Sequence, residues 1–220
     1  MMALRGIGLH RRIAALAVLC LTLVLWGGCD DGGDSQGVTV PDGCNPLAAN
    51  WHCLLPYPSD YFLVPDPDLP SGRRVQIPAQ ALPVTENGKV VDLRQYHPAD
   101  GWSTMPQIMA LLPFAVDDTD LVFHDEDVTR SVGADSPTVL LNADTGAPVL
   151  HFAEMDPRAD RDDRRALLIR PLRPLDFETR YIVALRRLRS PDCEALPAGE
   201  GFALLRDGRG ASLRALAPLV

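Results

Sequence analysis

Thr138-Val139-Leu140-Leu141-Asn142-Ala143-Asp144-Thr145-Gly146-Ala147-Pro148-Val149-Leu150-His151-Phe152 is two short apolar runs around a cluster of turn-forming residues. β-Branched and aliphatic side chains suit a pleated, half-buried surface, and Gly146 supplies a residue that takes a positive φ without steric cost. The stretch therefore predicts a β-hairpin. Downstream, Ala166-Leu167-Leu168-Ile169 predicts a further short strand, stopped by Pro171. Thr179 to Leu188 alternates Tyr181, Val183 and Leu185 with Arg180, Ile182 and Ala184, the periodicity of a strand, and Ser190-Pro191-Asp192 turns the chain away. The chain holds 20 prolines in 220 residues, all after residue 28, at intervals that leave little room for long helices. Short strands, proline punctuation and hairpin turns together predict an all-β fold, an antiparallel β-sandwich.

The N-terminus reads differently. Arg5, His10, Arg11 and Arg12 precede an uncharged apolar run from Ile13 to Trp26. As a helix that run spans about 21 Å, short of the ~30 Å hydrocarbon core, so it reads as the apolar part of an export signal rather than a permanent span. Gly27 and Gly28 lead to Cys29, and the segment resembles a bacterial lipobox, whose cysteine is acylated before cleavage; Trp26 stands where that motif has leucine. The expectation is a signal peptide over 1–28, lipidation at Cys29 with palmitate among the acyl chains, and membrane contact through that lipid anchor. Each buried CH₂ contributes ~0.8 kcal/mol to such an anchor. Asp30 to Gly43 reads DDGGDSQGVTVPDG, with only Val38 and Val40 strongly apolar. Residues 29–43 are expected to be a flexible acidic linker, since they bury too little to offset the entropy of ordering.

Loss of residues 1–28 removes Arg5, Arg11 and Arg12 and no acid, which takes the formal net charge from −8 to −11. Such a balance repels phosphate backbones, so no nucleic-acid partner is expected. Cys20 leaves with the signal and Cys29 is taken by lipid, which leaves Cys44, Cys53 and Cys193. Cys44 and Cys53 are near enough in sequence to close a short loop in an oxidising compartment, and they are expected to pair. A Cys53 to Cys193 bridge is the alternative. His52 beside Cys53 does not make a zinc pattern, and no metal or cofactor is expected.

Two further stretches carry a family resemblance. Leu168-Ile169-Arg170-Pro171-Leu172-Arg173-Pro174-Leu175, followed by Thr179-Arg180-Tyr181-Ile182-Val183-Ala184-Leu185, resembles the closing strands of bacterial Ig-like domains. Leu55-Pro56-Tyr57-Pro58-Ser59-Asp60-Tyr61-Phe62 and Asp100-Gly101-Trp102-Ser103-Thr104 resemble the N-terminal region of large secreted bacterial lipoproteins. Those include extracellular lipases in which an Ig-like domain precedes an α/β-hydrolase domain. The resemblance implies an Ig-like β-sandwich over 44–202. It departs at Cys193, where related sequences place glycine in a hairpin turn. Phe202 to Gly208 resembles the exit from that domain, and Ser212 is placed to cap an amphipathic helix, so 203–220 is expected to be the start of a truncated following domain.

Catalytic residues are harder to place. An α/β-hydrolase needs a G-x-S-x-G elbow, and none occurs; Gly101-Trp102-Ser103-Thr104-Met105 lacks the last glycine, which makes Ser103 a turn residue. His97, His124 and His151 stand apart in sequence, and His151 is expected to be a surface or satisfied core histidine. Glu154, Asp156, Asp160, Asp162 and Asp163 have the alternation of a calcium loop, but Arg158, Arg161, Arg164 and Arg165 are interleaved, as in a self-neutralising loop. The expected function is that of a lipid-anchored lipoprotein of the bacterial cell envelope, extracytoplasmic, on either membrane. Its Ig-like module is a non-catalytic spacer or docking domain for a downstream catalytic domain or an envelope protein. The alternatives are an N-terminal fragment of a surface lipase or esterase whose hydrolase domain is missing from this chain, and a ligand-binding or adhesion lipoprotein.

Overall fold

Leu167, Leu168 and Ile169 are buried in succession, which marks a strand covered on both faces. In the computed structural model, which describes residues 40–47, 52–91 and 99–208, that strand is the middle of the main sheet. Strands β1 (Leu63–Pro65) and β2 (Arg73–Val75) form a small pair. Strands β3 (Ile108–Leu111), β4 (Thr138–Asn142), β5 (His151–Met155), β6 (Ala166–Pro171) and β7 (Tyr181–Leu185) follow. The main sheet has the order β3-β6-β5, and β4 pairs with β7. Every pairing is antiparallel, and one short helix, α1 (Glu200–Arg206), is the only α-helix among the described residues. The fold is therefore all-β and antiparallel, as the strand pattern predicts. The export signal, Cys29, nearly all of the linker, His97 and the Ser212 segment lie outside the described residues.

The predicted hairpin is present but shorter than its apolar run. Gly146 takes φ +70°, Gly146 and Asn142 close the turn, and the two arms meet at a bridge between Leu141 and Pro148. Val149 donates its N–H to Leu140 O at 2.8 Å. The second arm then leaves the first: β5 starts at His151 and pairs with β6, not with β4. The reason is the alternation His151, Ala153, Met155, all buried, against the half-buried Phe152 and Glu154. A strand with that pattern must turn one face to the core.

The core lies on the Leu167 and Ile169 face of β6, where Ile108, Leu140, Ala153 and Met155 join them with Val116, Leu121 and Leu188. On the opposite face, Leu111 packs with Leu55, and Tyr57, Met109 and Ala166 lean against the pair. There too Arg170 pairs with Glu154 and lies 5.7 Å over the Phe152 ring. Tyr57 and Met109 exchange backbone hydrogen bonds of 2.9 and 2.7 Å, so the segment with the Leu55-Pro56-Tyr57-Pro58 motif covers the outer edge of β3.

Cys193 occupies a strained position. Arg189 and Ala195 bridge across a tight hairpin in which Ser190-Pro191-Asp192 form the turn and Cys193 has φ +64°. Ser190 and Glu194 close it, and Cys193 donates to Ser190 O at 2.8 Å. A turn with a left-handed residue in its last place normally has glycine there. Cys193 thus stands where the backbone favours glycine.

Leu167→Ala removes a fully buried side chain and is expected to cost about 2–5 kcal/mol, whereas Leu172→Ala, at a site 48 % exposed, is expected within about 0.5 kcal/mol of the parent. Urea titrations of both variants check this. Cys193→Gly relieves a Cβ clash of about 1–2 kcal/mol against about 0.5–1 kcal/mol of extra chain entropy, so it is expected to stabilise by up to about 1 kcal/mol. Cys193→Ala keeps the Cβ and is expected to give no such gain in the same titration.

Candidate functional site

Cys44 and Cys53 form a disulfide with Cα atoms 4.2 Å apart, and Cys193 is a free, exposed thiol. The pairing expected from loop closure is thus the observed one. Asn45, 2 % exposed, holds the bridged loop from inside. Its N–H donates to Cys53 O at 2.8 Å, its Nδ2 donates to Pro56 O at 3.1 Å, and its Oδ1 accepts from Leu47 N–H at 3.0 Å. A loop of this length adds about 2–3 kcal/mol by limiting the unfolded chain. Helix α1 rests on the same loop through Gly201, where any Cβ would overlap the carbonyl oxygen of Pro46. His52, just before Cys53, spends Nδ1 on the N–H groups of Leu54 and Leu55, at 3.2 and 3.4 Å, and burial pushes its pKa down.

The most highly organised polar group is in the core. His151 is 1 % exposed and Thr138 fully buried, and Thr138 Oγ1 lies 2.9 Å from His151 Nε2. Nδ1 lies 2.8 Å from the carbonyl of Val149, which only accepts. Nδ1 therefore carries the proton of the neutral ring, and Thr138 donates to Nε2. Ser131 Oγ accepts from His151 N–H at 3.2 Å and donates to Val128 O at 2.7 Å; Ser136 Oγ donates to Thr138 O at 2.7 Å. A hydroxyl donating to an imidazole is how a nucleophile is activated. Here the hydroxyl is sealed from solvent and a carbonyl stands where an orienting acid would, so the pair pins β4 to β5. His151 is a satisfied core histidine. The roles of Ser131, Ser136 and Thr138 are not visible in the sequence, because a small hydroxyl in a short turn, a loop or the first place of a strand looks like a surface residue.

The remaining candidates are spread out. Ser103 Oγ accepts from Met105 N–H at 3.1 Å, closing an exposed turn. His124 is exposed and touches the rings of Phe123 and Phe152. In the Arg-Asp loop, Arg161 pairs with Asp163 through Nε and Oδ1 at 2.8 Å, and Asp156 accepts from Arg158 N–H. Arg165 reaches Asp118 at 3.2 Å and the carbonyls of Met155 and Asp156. An open hollow of about 360 Å³ lies between Asp118, Phe123 and Glu126 on one side and Glu154, Met155 and Arg165 on the other. Its carboxylates have partners: Asp118 has Arg165, Glu126 has Arg130, Glu154 has Arg170. No group of three or more His, Cys, Asp or Glu side chains comes together to hold a metal among the described residues. No helix among them is long and apolar enough to cross a membrane. No family model, curated protein or solved structure matches the chain.

Burial holds His151 below its ordinary 6.5, against the pull of its acceptor at Val149. The unfolded chain therefore binds the proton more readily than the folded one. Stability is complete above pH 6.5 and is lost as pH falls from there toward the depressed folded value, with His52 adding in the same direction. Melting temperatures from pH 8 to 5 are expected to fall below about pH 6.5, and His151→Gln to flatten that slope while lowering stability throughout. An unchanged slope in the variant would show that His151 does not carry the effect.

Proposed function

We propose that the chain is a lipid-anchored, extracytoplasmic lipoprotein of a bacterial cell envelope, held through Cys29, and that its β module is a non-catalytic spacer or docking domain. The Cys44–Cys53 disulfide is the observation that carries this reading, because such a bond persists in the oxidising compartments to which an export signal leads. In this reading the sheets β3-β6-β5 and β4-β7 are two layers of an Ig-like sandwich.

The polar residues support a structural role for the module. Thr138 and His151 have hydrogen-bonding geometry but no access, Ser103 is engaged in a turn, and the acidic groups around the open hollow are neutralised by arginines. The lipase reading draws on the Leu55 to Phe62 and Asp100 to Thr104 motifs and places the chemistry in an α/β-hydrolase domain that is missing from this chain. Both readings share the anchor.

Growth with a labelled fatty acid is expected to mark the parent chain and to leave Cys29→Ser unmarked, with the variant lost from the membrane fraction. Label retained by the variant would remove the anchor from the proposal.

A further inference from the structure

Among the described residues, the edges of the two larger sheets, β3-β6-β5 and β4-β7, are covered with one exception. Met109 on β3 is paired with Tyr57, β4 is closed by Ala147 and Val149, and on β5 Ala153 bonds Val122 while His151 bonds Ser131. Strand β7 differs. Its register sets Ile182 opposite Leu141 and Ala184 opposite Val139. Ala143 N–H bonds Arg180 O and Arg186 N–H bonds Pro137 O, so the even-numbered residues of β7 bond toward β4. In an antiparallel ladder the backbone groups of Tyr181, Val183 and Leu185 then point to the other side. None of those three residues has another backbone hydrogen bond among the described residues. Ile182 is 43 % and Val183 40 % exposed.

An exposed apolar edge is a template for one more strand, which is why other proteins blunt theirs. The side chains around this edge select what pairs with it. Arg180, Ile182, Ala184 and Arg186 share one face of β7, with cations at both ends and apolar residues between them. Arg180 sits 3.3 Å from Asp60 and remains half exposed, and Arg186 spends its guanidinium on the carbonyls of Ser136 and Gly133. A second copy pairing antiparallel about Val183 would set Arg180 against Arg186, like charge on like charge. We infer that the open edge of β7 takes an extended peptide segment of a partner protein, with carboxylates spaced to meet Arg180 and Arg186 and small or β-branched residues between them. This gives the docking role above its surface and partner class. It rests on that role but not on the anchor, since the edge can be tested on purified chain whatever the fate of Cys29.

The probe is a short peptide of alternating valine and threonine with glutamate at both ends, spaced to reach both arginines; its control has lysine in place of glutamate. Hydrogen exchange on the purified chain is expected to slow at the Tyr181, Val183 and Leu185 amides when the glutamate peptide is added. The lysine peptide is expected to bind about tenfold more weakly or worse. Val183→Pro removes an outward N–H and none of the bonds to β4, so it is expected to keep the fold and lose the peptide, whereas Ile182→Pro breaks the ladder itself. Equal binding of the two peptides, or full binding by a folded Val183→Pro, would overturn the proposal. So would amides that are unprotected at saturating peptide, or that become protected with rising protein concentration alone, the sign of a second copy. If Val183→Pro does not fold, the exchange pattern of the parent chain and the two peptides still decide the matter.

Discussion

Between Val149 and His151 the chain leaves the partner of β4 and becomes the partner of β6, and the backbone polar groups that this crossing carries into the core need bonds. Leaving one unmade costs about 1–3 kcal/mol. Val149 N–H goes to Leu140, Leu150 O accepts from Leu172, and His151 N–H goes to Ser131. Val149 O is met by the imidazole, whose other nitrogen is met in turn by Thr138. A neutral imidazole, with a donor on one edge and an acceptor on the other, satisfies both ends at once, which is a physical reason for a histidine in a place otherwise suited to valine or leucine.

Much of the strand content was legible because it rests on local pattern. Leu167 to Ile169, buried on both faces, reads as a continuous apolar run, and Tyr181 to Leu185 reads as an alternating one; both are strands. The turn at Asn142 to Gly146 announces itself by residue type. What the pattern did not reveal is which strand pairs with which. Pro148 to Phe152 looks like the second arm of a hairpin, but β5 belongs to the neighbouring sheet, and the information for that choice is long-range: it lies in the match of Ala153 with Ile169 and of Met155 with Leu167. The disulfide was legible from spacing and compartment. The Thr138–His151 pair was not, because two polar residues far apart in sequence show their relation only once the fold has buried both.

Arginine supplies almost all of the basic charge, with Lys89 the single lysine. The structure provides a use for that choice. Arg165 holds a carboxylate and two carbonyls, Arg186 holds the carbonyls of Ser136 and Gly133, and Arg187 holds Asp135 and the Ala134 carbonyl. A planar fork with several donors can tie two loop carbonyls together, which a lysine ammonium does with less directional control. In an all-β protein with few helices and long irregular connections, these forks stand in for backbone ladders where the loops have none.

The seat of Gly201 on the Pro46 carbonyl sets the mechanical character of the module. Helix α1, near the end of the described residues, is thus seated on residues 46 and 47 near their start, on a loop that a covalent bond has already closed. The two ends of the described fold are therefore held together at one place. Tension applied at Cys44 and Arg206 would load that junction first and reach β3 to β7 only after it gave way. The junction between α1 and the bridged loop then carries the load, while the two larger sheets keep their exposed faces clear of it.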